Sequence, residues 1–246
     1  MRRYALIGRK LSHSFSKRYF TEKFNAEGID ACYELIELED IASLRDVVTS
    51  DSCIYGLNVT IPYKQTIMPL LDEIKEEARA VGAVNCISVE SGRMVGHNTD
   101  IEGIAATLDR LGVEDVHGAL VLGTGGASKA VGYVLRQRDI PYHTISRSGQ
   151  RGDFTYNNLP HEVIANNHLI INTTPLGMYP DVESLPAIDF SAIGSNHTIF
   201  DLVYNPEPTL FMRRCEERGA KVISGSLMLV TQAEASWRIW EGRSFR

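Results

Sequence analysis

Short apolar runs alternate with amphipathic stretches along the whole chain. In the first hundred residues, the apolar-rich runs at 4–7, 32–38 and 54–58 are bounded by polar residues and predict strands. Residues 17–27 predict a helix, because Phe20 and Phe24 stand one turn apart. Ser16 is placed to cap that helix and Gly28 to end it. Residues 41–49 and 72–80 are further helix candidates. Residues 86–89 and 94–97 predict a hairpin around Ser91-Gly92.

The pattern changes after Asp100. Residues 101–111 predict a helix stopped by Gly112, and short apolar strands follow at 119–122, 142–146, 169–172, 198–201 and 221–224. A helix at 127–138 joins the first two and carries Ala130, Val131, Val134 and Leu135 on one face. Between Arg147 and His168 the helical periodicity is modest, with Gly152, Asn157, Asn158 and Pro160 as breakers. An amphipathic segment at 227–240, with Ser226 as its cap, follows the last strand. Strand and helix in alternation predict an α/β protein with mainly parallel sheets. The expected organisation is a first domain over 1–100, a βαβ domain over 101–225 and a closing segment over 226–246.

Composition narrows the function classes. The 246 residues are 43% hydrophobic and 23% charged, which excludes disorder, collagen and coiled coil. A net charge of -6 argues against an electrostatic nucleic-acid binder. Met1-Arg2-Arg3 is basic, but the apolar run behind it is too short for a signal peptide. No run approaches the roughly eighteen apolar residues of a membrane span. The four cysteines, Cys32, Cys53, Cys86 and Cys215, are scattered without C-x-x-C, and the histidines do not cluster. The expectation is therefore a cytoplasmic protein with buried, reduced thiols and no metal.

The chemistry-bearing motifs sit where strands end. Gly123-Thr124-Gly125-Gly126-Ala127-Ser128 follows one strand and opens a helix. Small residues there let the backbone approach a pyrophosphate, and the free N–H groups of the helix start bind its charge. Ser128 replaces the third glycine of the dinucleotide fingerprint, so a purely structural turn is the competing reading. The second strand ends in Ser146-Arg147-Ser148, with Arg151 close behind and no acidic residue in that triplet. An arginine in that place suits a 2′-phosphate and favours NADP over NAD; the plain alternative is a solvated surface arginine.

In the first half, polar side chains follow apolar strands. Ser12-His13-Ser14-Phe15-Ser16 brings three hydroxyls to a helix start. Asn58-Val59-Thr60-Ile61-Pro62-Tyr63-Lys64 brings an amide, a hydroxyl and a lysine, Asn85 adds an amide, and Asn98-Thr99-Asp100 adds a carboxylate. Hydroxyls, amides and a Lys/Asp pair suit a small polyhydroxylated substrate that is uncharged or anionic. Taken singly, each also fits a plain use: Ser16 as a cap, Asn58 and Asn98 in turns, Lys64 as a solvated charge.

Together these motifs resemble the shikimate dehydrogenase family over nearly the whole chain. The resemblance rests on His13 to Ser16, Gly56 to Lys64, Ala80-Val81-Gly82-Ala83-Val84-Asn85, Asn98-Thr99-Asp100 and the turn from Gly123. It continues through Asn172-Thr173-Thr174-Pro175-Leu176-Gly177-Met178, Asp201-Leu202-Val203-Tyr204-Asn205-Pro206, and Gly225 through Met228 to Gln232. It implies an N-terminal α/β substrate domain and a C-terminal Rossmann-type NADP-binding domain, with the last helix, within 226–246, returning to the first domain. It implies Lys64 and Asp100 as the catalytic pair. Ser14, Ser16, Asn58, Thr60, Asn85, Tyr204 and Gln232 would hold the substrate. Gly123, Thr124, Gly125, Gly126, Ala127, Ser146, Arg147, Ser148 and Arg151 would hold NADP. Thr173, Leu202, Gly225 and Met228 would line the nicotinamide side.

Two departures from the family stand out. Lys17 replaces the usual proline after the second serine, and the chain is short for the family, so some Rossmann-domain helices should be trimmed. The implied activity is reversible reduction of 3-dehydroshikimate to shikimate, with a small-molecule substrate, no nucleic acid or membrane partner, and a monomer or homodimer. The alternatives are a dual quinate/shikimate dehydrogenase using NAD or NADP, a methylene-tetrahydrofolate dehydrogenase type, and a nucleotide-binding sensor without catalysis. A sensor has no use for the Lys64/Asp100 pair.

Overall fold

The first apolar run folds as strand β1 (Arg2–Gly8), and the chain continues through α1 (Phe15–Glu27), β2 (Ala31–Glu37), α2 (Leu44–Ser50) and β3 (Ile54–Val59). Then come β4 (Glu73–Ile74), α3 (Glu76–Val81) and the hairpin of β5 (Cys86–Glu90) and β6 (Arg93–His97). This computed structural model describes residues 1–11, 14–113, 115–149 and 151–242. The six strands form one sheet in the order β2-β1-β3-β5-β6-β4. β1 runs parallel to both neighbours, whereas β5 is antiparallel to β3 and β6. The first sheet is therefore mixed. Its hairpin turn needs positive φ at both central residues, and Ser91 (51°) and Gly92 (79°) supply it.

The helix α1 starts earlier than the sequence suggests. Ser14, not Ser16, is the N-cap, because its hydroxyl accepts from the Lys17 N–H. Gly28 ends the helix at φ 64°, as a left-handed C-cap should. The helix expected at 41–49 is split into a 3-10 turn, Ile41–Ser43, and α2. The one expected at 72–80 gives its first residues to the edge strand β4.

After Asp100 the chain forms α4 (Asp100–Leu111), β7 (Ala119–Leu122), α5 (Gly126–Gln137), β8 (Tyr142–Ser146), β9 (Phe154–Thr155), α6 (His161–Asn166) and β10 (Leu169–Asn172). It ends with β11 (Thr198–Asp201), α7 (Leu210–Glu216), β12 (Lys221–Ser224) and α8 (Ser226–Trp240). This second sheet runs β12-β11-β10-β7-β8-β9, with every pair parallel. Counted from β7, that is the doubly wound order 3-2-1-4-5-6, whose order reverses at the end of β7. Strands buried on both faces need continuous apolar runs, and β7 and β10 are buried at every position. One crossover has lost its helix: between β10 and β11, over residues 173–197, lies only a 3-10 turn, Phe190–Ala192.

The chain divides into two compact units, Met1–Asp100 with the chain from Gln232 onward, and Ile101–Thr231. The return to the first unit thus begins inside α8, at Gln232, rather than at Ser226. The hydroxyl of Ser226, the first residue of α8, donates to Glu207. The returning half brings Ala233, Trp237 and Trp240 into a core with Tyr4, Phe20, Phe24 and Tyr33. Trp240 stacks on Tyr4, and Phe20 stacks on Tyr33, at centroid distances of 4.8 and 4.7 Å. Gly56 is required by this packing, because a Cβ there would lie 2.2 Å from Trp240 Nε1.

Not all the thiols are buried. Cys86 and Cys215 are, and burial pushes both up to about 12, but Cys32 is half-buried and Cys53 exposed. Among the described residues no helix is long and apolar enough to cross a membrane.

Candidate active site

In the first unit, β3 ends at Val59 and the chain turns at once. The turn is fixed by Thr60 N–H donating to the Ile7 carbonyl and Tyr63 N–H donating to the Thr60 carbonyl. Tyr63 is buried, and its hydroxyl donates to the Leu38 carbonyl, which anchors the segment next to Lys64. The Lys64 carbonyl accepts from Val84 N–H. From that turn Lys64 Nζ reaches Asp100 Oδ2 at 2.7 Å. The Asp100 side chain is only 5% exposed, and that of Lys64 18%. An ammonium carries three N–H bonds. One is given to Asp100, and Nζ has no second partner among the described residues.

Asp100 is held from the other side by an amide. Asn85 Nδ2 donates to Asp100 Oδ1 at 2.7 Å and to Thr99 Oγ1 at 3.0 Å. The Asn85 Oδ1 accepts from the Thr99 N–H at 2.7 Å, so the backbone dictates which way the amide faces. The Val59 N–H donates to the Asn85 carbonyl. Asn58 is locked as well. Its Oδ1 accepts from Tyr33 Oη (2.8 Å), and its Nδ2 donates to Ser236 Oγ (2.9 Å) and to the Asn85 carbonyl (3.3 Å). Ser236 lies within 3.1 Å of Thr99 Oγ1 and donates to the Gln232 carbonyl at 2.9 Å. Burial pushes the Tyr33 phenol well above its ordinary value, and the Ser16 hydroxyl lies beside it.

The first unit therefore brings Lys64, Asp100, Asn58 and Asn85 into one connected network. Both amide hydrogens of Asn58 and both of Asn85 are engaged within the protein. Gln232 joins through its carbonyl, Ser16 stands beside Tyr33, and Ser14 caps α1. Thr60 is half-buried just after β3, whereas Tyr204 belongs to the second unit. Ser12 and His13 lie outside the described residues. Sequence reasoning gives no role to Tyr33, Thr99 or Ser236. A readable signal exists for Ser236, which stands four residues after Gln232 and so on the same helix face.

In the second unit, Gly123 leaves β7 at φ 115°, and a Cβ there would meet Thr173 Oγ1 at 2.6 Å. Only glycine permits that contact. Gly125 is the N-cap of α5, and a Cβ built on it meets nothing within 4 Å. Gly125, Gly126 and Ala127 open the helix there and carry N–H groups that a helix cannot use internally. Ser128 is buried, and its hydroxyl donates to the Gly123 carbonyl at 2.7 Å, tying the turn together where the fingerprint has its third glycine.

At the end of β8, Arg147, Ser148 and Arg151 are exposed, and neither arginine has an ion-pair partner among the described residues. Ser146 departs from expectation. It is buried, and its hydroxyl donates to the Ser148 carbonyl, so it shapes the turn instead of pointing a free donor outward. An open glycine cradle with two unpaired arginines fits an anionic dinucleotide. Thr173 N–H and Oγ1 both donate to the Leu122 carbonyl. Leu202 N–H donates to the Asn172 carbonyl, and a Cβ on Gly225 would come within 2.2 Å of the Leu202 oxygen. Met228 is buried, with its carbonyl packed on Gly103.

Comparison with known proteins gives the family. A family model described as the shikimate dehydrogenase substrate binding domain matches residues 6–87. A shikimate dehydrogenase (NADP(+)) of Carboxydothermus hydrogenoformans is 35% identical over 256 residues, covering 97% of this chain and 91% of the relative. The crystal structure of the Thermus thermophilus shikimate 5-dehydrogenase, in complex with NADP(H) and shikimate, superposes with a TM-score of 0.88 at 29% identity, covering 98% of this chain and 94% of that one. A quinate dehydrogenase from Corynebacterium glutamicum in complex with NAD gives 0.87 at 26%, covering 98% and 94%. Fold, motif order and identity over nearly the full length converge on one conclusion: the chain belongs to the shikimate dehydrogenase family.

Proposed function

We propose that this chain catalyses the reversible, NADP-linked reduction of 3-dehydroshikimate to shikimate. The observation that carries the reading is the Lys64–Asp100 pair, 2.7 Å apart and braced by Asn85. NADPH, held in the second unit, would supply the hydride for the ketone carbon. The ketone oxygen then gains negative charge, which the Lys64 ammonium stabilises and neutralises by transferring one of its free N–H protons. Asp100 holds the ammonium in place and offsets its charge. Asn85 and Thr99 keep the carboxylate oriented, so little rearrangement is needed as charge develops. In the oxidative direction, the amine of Lys64 takes the hydroxyl proton.

The remaining assignments follow the family pattern. Ser14, Ser16, Thr60, Gln232 and Tyr204 bind the substrate's hydroxyls and carboxylate, with Asn58 and Asn85 setting the floor beneath them. The backbone from Gly123 to Ala127 binds the pyrophosphate. Arg147, with Ser148 and Arg151, binds the 2′-phosphate, and Ser146 supports that turn. Thr173, Leu202, Gly225 and Met228 line the nicotinamide side.

A four-way steady-state assay tests the reading: shikimate or quinate, each with NADP or NAD. The expected result is fastest turnover with shikimate and NADP. Preference for quinate with NAD would replace the reading by the quinate dehydrogenase one. No turnover in any combination would overturn it.

A further inference from the structure

The second unit buries a carboxylate that the proposed reaction does not use. Asp201 stands at the end of β11 with no exposed surface and no cationic partner among the described residues. All of its donors are neutral. Asn172 Nδ2 donates to Oδ1 at 2.9 Å, Val203 N–H donates to Oδ1 at 3.1 Å, and Thr209 Oγ1 donates to Oδ2 at 2.7 Å. Burial pushes its carboxyl up to about 6. A buried charge held only by neutral donors is costly, so its position calls for an explanation.

Each of those donors belongs to a different turn. Asn172 is the register partner of Asp201 on the neighbouring strand, and its Oδ1 accepts both the Thr174 N–H (3.0 Å) and the Thr174 hydroxyl (2.7 Å). Thr173 lies between those two residues. Val203 follows Leu202, whose own N–H donates to the Asn172 carbonyl. Thr209 caps α7 by accepting from the Met212 N–H at 3.1 Å. One carboxylate thus gathers the turn that carries Thr173, the turn that carries Leu202, and the start of α7.

We infer that Asp201 is a positioning residue that fixes Thr173 and Leu202 together at the cofactor face of the second sheet. The inference rests on the reading above that these two residues line the nicotinamide side. Asp201 touches neither substrate nor cofactor and acts through the turns that it ties. Substitution by Asn puts an amide donor opposite the Asn172 amide or the Thr209 hydroxyl, where the present arrangement needs an acceptor. The pyrophosphate turn at Gly123 and the arginines after β8 are left alone.

The test uses Asp201→Asn and, as a second variant should that one fail to fold, Asn172→Ala. In the protein without cofactor, amide hydrogen exchange is followed in the segments 172–176 and 201–205. Faster exchange in both segments is expected, with exchange in 123–128 unchanged. In the assay, kcat should fall about tenfold or more, as for a modest misplacement of reacting groups. The KM values for NADP and shikimate should stay within about threefold, and the primary deuterium isotope effect with labelled NADPH should rise. A lowered Tm with unchanged local exchange, kcat and isotope effect would overturn the inference and leave Asp201 a stability residue. Wild-type protein inactive toward shikimate would instead remove the functional reading beneath it.

Discussion

Replacing Lys64 separates its two jobs, charge balance and proton transfer. In Lys64→Met the stem is kept and the ammonium removed. Asp100, 5% exposed, then loses its only ion-pair partner among the described residues and keeps the Asn85 amide. A charged hydrogen bond of this kind contributes about 1.5–3 kcal/mol. For a chain of this size that corresponds to a Tm loss of roughly 3–12 °C. The loss of a positioned general acid should lower kcat about 10²- to 10⁴-fold, equivalent to about 3–5 kcal/mol. The KM for NADP should change little. Lys64→Arg completes the comparison. Arginine restores a cation for Asp100 but does not give up its proton, so it should recover much of the lost Tm while kcat stays low. The measurements are NADPH absorbance in the steady state and thermal unfolding of the same preparations. Turnover by the Arg or Met variant within tenfold of the parent would refute the proton-transfer role.

Three further outcomes follow from the structure. Arg147→Ala should weaken NADP about ten- to a hundredfold through loss of charged hydrogen bonds while leaving NAD nearly unchanged, by titration with both cofactors; equal weakening would reject the 2′-phosphate role. His97 is pushed down to about 4 from its usual 6.5 by burial, with Lys75 adding to it. The unfolded chain therefore takes up that proton first as pH falls, and stability drops through the window from about 6.5 to about 4. Asp201, pushed up to about 6, works in the opposite direction over an overlapping range. His97→Gln should recover about 2 kcal/mol at pH 5 relative to pH 7.5, read from denaturant unfolding; an unchanged pH slope would exclude this origin. Gly56→Ala forces a methyl into Trp240, should cost about 1–3 kcal/mol and should shift tryptophan emission; an unaltered Tm and spectrum would show that the packing gives way freely.

The central strands β7 and β10 are legible because strands buried on both faces must be written as apolar runs. The five expected in the second sheet match β7, β8, β10, β11 and β12. What escapes is the edge. β4 and β9 have two residues each, too few for any period to register. The cap of α1 is easily misread because Ser14 and Ser16 are chemically equal. Only the position of the Lys17 N–H decides between them. In the site, polar residues after strands point correctly to Lys64 and Asp100 as neighbours. Their braces are harder to see. Tyr33 and Ser236 meet Asn58 across sequence separations of 25 and 178 residues, which no local spacing encodes. Ser146 shows the converse: its position fits a ligand donor, yet its hydroxyl is used by its own turn.

The acid–base assignment is tested most directly by a crystal structure of this protein with shikimate and NADP together. Lys64 Nζ should keep Asp100 and place a second N–H about 2.6–3.2 Å from the substrate hydroxyl whose carbon faces the nicotinamide. An ammonium bonded to Asp100 and solvent alone, with another side chain on that hydroxyl, would contradict it.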